Sequence, residues 1–194
     1  MKEQIIVAIG REHGSGGHYI AELVSKALGI KLYDKKTIEA AIVDQGYSQE
    51  LISQKDERPV NFFASRRIGK FSNSIEVNVA ERTFQMLRTK AAQGESFVVL
   101  GRCGEQVLKD NPNCINVFIC ADRADRIKRI AERYDVSEKK ALDRIKRMDR
   151  ERKYYYETHT GQEWGSISSH DILLNASLLG IEGTVNVLEG IYKR

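Results

Sequence analysis

Gly14, Ser15, Gly16 and Gly17 stand in a row, preceded by Arg11 and followed by His18. Residues this small leave backbone N–H groups uncovered. At the start of a helix such groups form an anion site suited to phosphate. The full phosphate-loop pattern is G-x-x-x-x-G-K-[ST]. With Gly16 as its second glycine, Arg11 stands at the first glycine, Gly17 at the lysine and His18 at the hydroxyl. The lysine that meets the β/γ-phosphates is therefore missing. A second gathering of cations lies far along the chain: Arg144, Lys146, Arg147, Arg150, Arg152 and Lys153. Like charges this close repel unless an anion joins them. Arginine forks grip phosphate oxygens bidentately and stabilise transferred charge. Arg11, Arg147 and Arg152, with Arg144 and Arg150 beside them, are the candidates to replace the lysine. Asp149 is expected to orient one of them. The competing reading of the cluster is a solvated helix face.

The elements that must position these residues follow from periodicity. Ile5, Ile6, Val7, Ala8 and Ile9 form a continuous, mostly β-branched run, as in a strand buried on both faces. After the glycines, Ile20, Val24, Ala27 and Leu28 recur on one face of a helix. Further strands are predicted over residues 30–33, 97–100, 115–119 and 172–174. Asp122 and Ser137 are predicted to start helices. In the second of these, Ala141, Ile145 and Met148 point inward, and the stripe then stops, which predicts that the chain leaves the core there. Residues 35–94 read as helical, with breaks near Gly46, Pro59 and residues 72–74. Strands alternating with helices imply a parallel sheet with right-handed crossovers. Ligands then bind beyond the carboxyl ends of the strands.

The chain has 194 residues, net charge +4 and 30% charged residues. One α/β domain fits this length. The mild basic excess suits phosphate ligands or nucleic acid. It carries no aromatic-basic RNA-binding motif, so nucleic acid is the weaker reading. No signal-peptide pattern opens the chain and no apolar run reaches a membrane span. Cys103, Cys114 and Cys120 form no C-x-x-C pair, which suggests reduced thiols and a cytoplasmic protein.

The stretch AIGREHGSGGHYIAELVSKALGIKLYD resembles the start of the cytidylate kinase-like family, a divergent branch of the P-loop nucleoside monophosphate kinases. VVLGRC, DRIKRI, the arginine-rich stretch before YYY, TGQEWG and LGIEG resemble it in the same order. The resemblance implies an α/β P-loop three-layer sandwich with a central parallel sheet, an inserted helical acceptor-binding region and a lid. The core would comprise residues 1–34, 95–145 and 169–194, the acceptor-binding insert 35–94 and the lid 146–168. It implies ATP, with Mg²⁺, as phosphate donor and a nucleoside monophosphate such as CMP as acceptor. It makes Arg102 an acceptor-phosphate contact and Asp34 a contact to the acceptor nucleotide. Arg66 is a further candidate for the acceptor phosphate. Asp34 also reads as a plain helix cap, and Arg66 as surface charge. Leu100 and Cys103 stand where better-known cytidylate kinases carry acids beside Gly-Arg, so the metal ligands are not legible. Two other functions stay open: a regulatory nucleotide-binding protein without catalysis, and a kinase for another small acceptor. The oligomeric state is not encoded in any motif.

Overall fold

The computed structural model describes residues 4–43, 67–68, 71–72 and 75–192. Strand β1 (Ile6–Arg11) leads through the glycine-rich loop into helix α1 (Gly17–Leu28). Gly29 closes α1 in the left-handed conformation at φ 65°, and the N–H of Ile30 returns to the carbonyl of Ser25 at 3.0 Å. Then follow β2 (Lys31–Tyr33), α2 (Lys35–Val43) and a hairpin of β3 (Arg67–Ile68) and β4 (Phe71–Ser72). Helix α3 (Ile75–Ala92), β5 (Phe97–Leu100), α4 (Gly104–Val107) and β6 (Cys114–Cys120) come next. Helices α5 (Arg123–Tyr134) and α6 (Glu138–Thr160), strand β7 (Ile172–Asn175) and helix α7 (Ala176–Tyr192) complete the order.

The sheet is parallel throughout, in the order β2-β5-β1-β6-β7. β1 lies at its centre, so its side chains are buried alternately on the two faces. Val7 and Ile9 pack with Ile20 and Val24 of α1 and Val185 and Leu188 of α7. Ile6 and Ala8 pack on the other face with Ile38 and Ile42 of α2 and Leu87 and Ala91 of α3. This is the three-layer α/β sandwich expected from the pattern. Each fully buried aliphatic chain of this kind contributes about 1.5–3 kcal/mol. The central strands all end on one side, and β1 delivers the glycine loop to that end.

Three local expectations change. The hairpin β3–β4 interrupts a region that reads as helical. Asp122 precedes α5, but its side chain accepts from Asn175 Nδ2 at 3.0 Å rather than capping the helix. Helix α6 does not leave the core after Met148: Tyr156, two turns later, is 4% exposed, and His159 meets Phe84 of α3 edge-on at 5.8 Å. An aromatic anchor replaces the aliphatic stripe, which a search for Leu, Ile and Val overlooks. No described helix is long and apolar enough to cross a membrane.

Candidate active site

The loop is shaped by left-handed glycines, Gly14 at φ 85° and Gly16 at φ 88°. A side chain at Gly14 would stand 3.0 Å from the carbonyl oxygen of Arg126, and one at Gly16 would collide with Ile181. Ile181 reaches the loop because Gly180 breaks α7 at φ 69°. Ser15 is fully buried; its hydroxyl donates to the Glu12 carbonyl at 3.0 Å and accepts from the Gly17 N–H at 3.3 Å. The loop is thus held open by its own short hydrogen bonds, with α1 starting immediately behind it. Replacing Gly16 by Val should cost about 1–3 kcal/mol of backbone strain and abolish ATP binding, while the sheet remains folded. Nucleotide titration checked against a circular-dichroism melt tests this. Unchanged ATP affinity would contradict the loop's role.

Arginines from three elements face the loop. Arg11 ends β1; its guanidinium occupies the space where a side chain at Gly101 would lie, and Gly101 is itself left-handed at φ 72°. Arg129 Nη1 donates to the Gly14 carbonyl at 3.2 Å, and Arg152 Nη1 to the Arg11 carbonyl at 3.1 Å. Arg144 lies over the Tyr134 ring, 3.8 Å from its centroid. Together with Arg133, His13, His18 and Ile181 these residues line a cavity of ≈ 480 Å³ over the loop.

The neighbouring acids are spent on holding this arrangement. Arg126, 7% exposed, is the hub. It pairs with Glu12 at 2.7 Å and with Asp149, and its Nε donates to the His13 carbonyl at 2.8 Å. Asp149 also accepts from the His13 N–H at 2.7 Å, and Glu12 from the Ala121 N–H at 3.1 Å. Both carboxylates are therefore paired with Arg126, and the cavity, which Glu12 also lines, is walled mainly by Arg11, Arg129, Arg133, Arg144 and Arg152. Asp149 does orient an arginine, and that arginine is Arg126. Arg126, Arg129 and Arg133 were not among the candidates from sequence. Their spacing of i, i+3, i+7 places them on one helix face, a signal masked by the apolar stripe beside it. Tyr134, at the end of the same helix, is 39% exposed at the cavity rim.

The other candidates divide. Arg147 and Arg150 are exposed and do not line the cavity. His18 is exposed and lies 3.2 Å from Asp34 Oδ2 and 3.7 Å from Glu22. Asp34 is also a helix cap, accepting from the Thr37 N–H at 2.9 Å. Partial burial would raise its pKa, but the hydrogen bonds from Thr37 and His18 prevail and hold it below the usual carboxylate value. Arg66 lies outside the described residues.

Arg102 belongs to a second, smaller cavity of ≈ 40 Å³, shared with Arg11, Glu105, Glu151, Arg152, Tyr155 and Trp164. Gly101, Arg102 and Cys103 are all left-handed, at φ 72°, 59° and 53°. Two consecutive non-glycine residues in that region carry strain of a kind that gathers at functional sites. Arg102 is 8% exposed and its guanidinium lies 5.9 Å from the Tyr155 ring centroid. Arg11 and Arg152 line both cavities, so they stand at the junction between the two.

Beneath the smaller cavity Glu105 is 5% exposed, with His170 Nε2 4.0 Å from its carboxylate. Burial raises the Glu105 pKa above the ordinary 4.5. The folded state then keeps a proton that the unfolded chain releases above 4.5, so stability falls as pH rises through that window. Glu105→Gln should flatten this slope with little loss of stability at neutral pH. Melting temperature against pH tests it, and an unchanged slope would contradict it.

A dedicated magnesium cage is not a fit for these residues. The hydroxyl position holds His18, a nitrogen donor poorly matched to a hard cation. Glu12 and Asp149 are already ion-paired, and among the described residues no group of three or more His, Cys, Asp or Glu is gathered to hold a metal.

The model of the cytidylate kinase-like family matches residues 6–178. The chain belongs to the cytidylate kinase-like family. That family fits the cavity above: a backbone loop for phosphate and arginines around it. The cytidylate kinase of Methanococcus vannielii is 23% identical over 192 residues, covering 97% of this chain and 100% of that protein. A crystal structure of a protein from Eubacterium ventriosum matches with a TM-score of 0.78 and 32% identity, over 98% of this chain and 99% of that one. A shikimate kinase from Bacteroides thetaiotaomicron matches at a TM-score of 0.57 and 14% identity, over 98% of this chain and 99% of that one. The last likeness shows the shared kinase fold alone. Family and fold together are those of phosphotransferases.

Proposed function

We propose that the protein is a nucleotide kinase that moves the γ-phosphate of ATP to a nucleoside monophosphate such as CMP. The observation that carries this reading is the junction of two cavities at Arg11 and Arg152. The larger one, over the glycine loop, suits the triphosphate. The smaller one, with Arg102, suits the acceptor phosphate. An acceptor oxygen attacks the γ-phosphorus in line, the bond to the β-bridging oxygen breaks, and ADP leaves with that electron pair. No covalent enzyme intermediate is required. Loop N–H groups hold the donor phosphates, and Arg11 and Arg152 meet the charge spread over the transferred group. Residues 35–94 would embrace the acceptor and residues 146–168 would serve as the lid, presenting Arg152 to the loop. Any Mg²⁺ would arrive held by the nucleotide phosphates and water.

Gly17 in the lysine position favours a second reading, a nucleotide-binding regulator without turnover. ADP release measured with CMP, UMP, dCMP and AMP separates the two. Acceptor-dependent release supports the kinase; tight ATP binding with no release under any acceptor supports the regulator.

A further inference from the structure

His13 sits inside the phosphate loop with nothing yet to do. Its backbone is fixed on both sides: the N–H donates to Asp149 at 2.7 Å and the carbonyl accepts from Arg126 at 2.8 Å. His13 lines the large cavity, and its Nε2 is buried with no hydrogen-bond partner among the described residues. Around the ring stand Arg11 from β1, Arg126 from α5, and Arg144 and Arg152 from α6. Arg129 of α5 and His18 of α1 line the same cavity. Glu12 and Asp149, which adjoin the loop, are committed to Arg126.

We propose that His13 is a proton acceptor of this loop: neutral while the cavity is without a polyphosphate, it takes a proton from solvent when one docks and Nε2 turns to it. The inference rests on the reading of the loop as a phosphate site. Docked phosphate oxygens neutralise the arginines that oppose a charged imidazole and offer Nε2–H the acceptor it lacks. The loop so gains a cation that Gly17 does not supply. The state without phosphate is consistent with this: burial first, then Arg152, Arg144, Arg126 and Arg11, lower the His13 pKa from 6.5 to about 4. A dianionic phosphate within reach reverses the larger part of the charge contribution.

The chain has four histidines, so imidazole nitrogen spectra are simple to assign, with His13→Gln or His13→Asn removing one set of signals. The pH midpoint of His13 is followed in the parent protein with and without saturating ADP. We expect a rise of about 1–3 pH units on ADP binding. Calorimetry in buffers of different ionisation enthalpy should show proton uptake in the parent that His13→Gln loses and His18→Gln retains. ADP binding with an unmoved His13 midpoint overturns this inference and leaves the phosphate site standing. Failure of ADP to bind the parent at all overturns the phosphate site, and this inference with it.

Discussion

Replacing Arg11 or Arg152 by alanine should lower kcat by about 10³-fold or more, with little change in ATP affinity. Both side chains stand at the junction of the two cavities, where the transferred phosphoryl group would pass. Ground-state phosphates are met chiefly by the loop, so binding should survive. Charge that develops only during transfer should lose its partner. Lysine at either position keeps the charge but not the planar fork, and should recover little. At Arg11 the geometry is restrictive as well, because the guanidinium lies against the bare Cα of Gly101. Steady-state kinetics with a fixed acceptor separates the outcomes. A loss carried wholly by KM would mean that these arginines bind ATP without serving the transfer.

Arg126→Ala should be the most destabilising of the single changes considered. Arg126 is 7% exposed and joins three segments: Glu12 and His13 of the loop, its own helix, and Asp149 of α6. Truncation leaves two carboxylates facing one another without their cation. Breaking a buried pair on one side costs about 3–5 kcal/mol. For a chain of this size that lowers Tm by about 6–20 °C. Asp149→Asn should cost less, since the amide oxygen still accepts from the His13 N–H. A thermal melt of both variants tests the order. Equal, small losses would show that the hub is not what seats α6 on the loop.

How much of this was legible beforehand depends on the range over which each signal acts. β1, the loop and α1 are local: a β-branched run, glycines and a 3.6-residue stripe lie side by side in the chain. The buried strands β5 and β6 announce themselves in the same way. The Arg126 hub is not local. Asp149 lies 23 positions from Arg126 and 136 from the backbone N–H of His13, and ion pairs across such distances leave no pattern in sequence. The arginine cluster on α6 was legible as a cluster, but not which members face the loop. That depends on the helix running on unbroken to Thr160, anchored by Tyr156. Arg144 and Arg152 fall on the inner face and Arg147 and Arg150 on the outer one. The left-handed Arg102–Cys103 pair could not be foreseen either, since neither residue type favours that conformation.

The missing lysine divides a kinase from a silent nucleotide binder, and phosphorus NMR of a reaction mixture divides them most directly. ATP and CMP are incubated with the parent protein and, in parallel, with Arg11→Ala. The kinase account predicts that the CMP phosphorus signal gives way to the paired signals of CDP as ATP becomes ADP, with Arg11→Ala far slower. An ATP spectrum unchanged in the presence of CMP, UMP, dCMP and AMP, from protein shown to bind ATP, would contradict it.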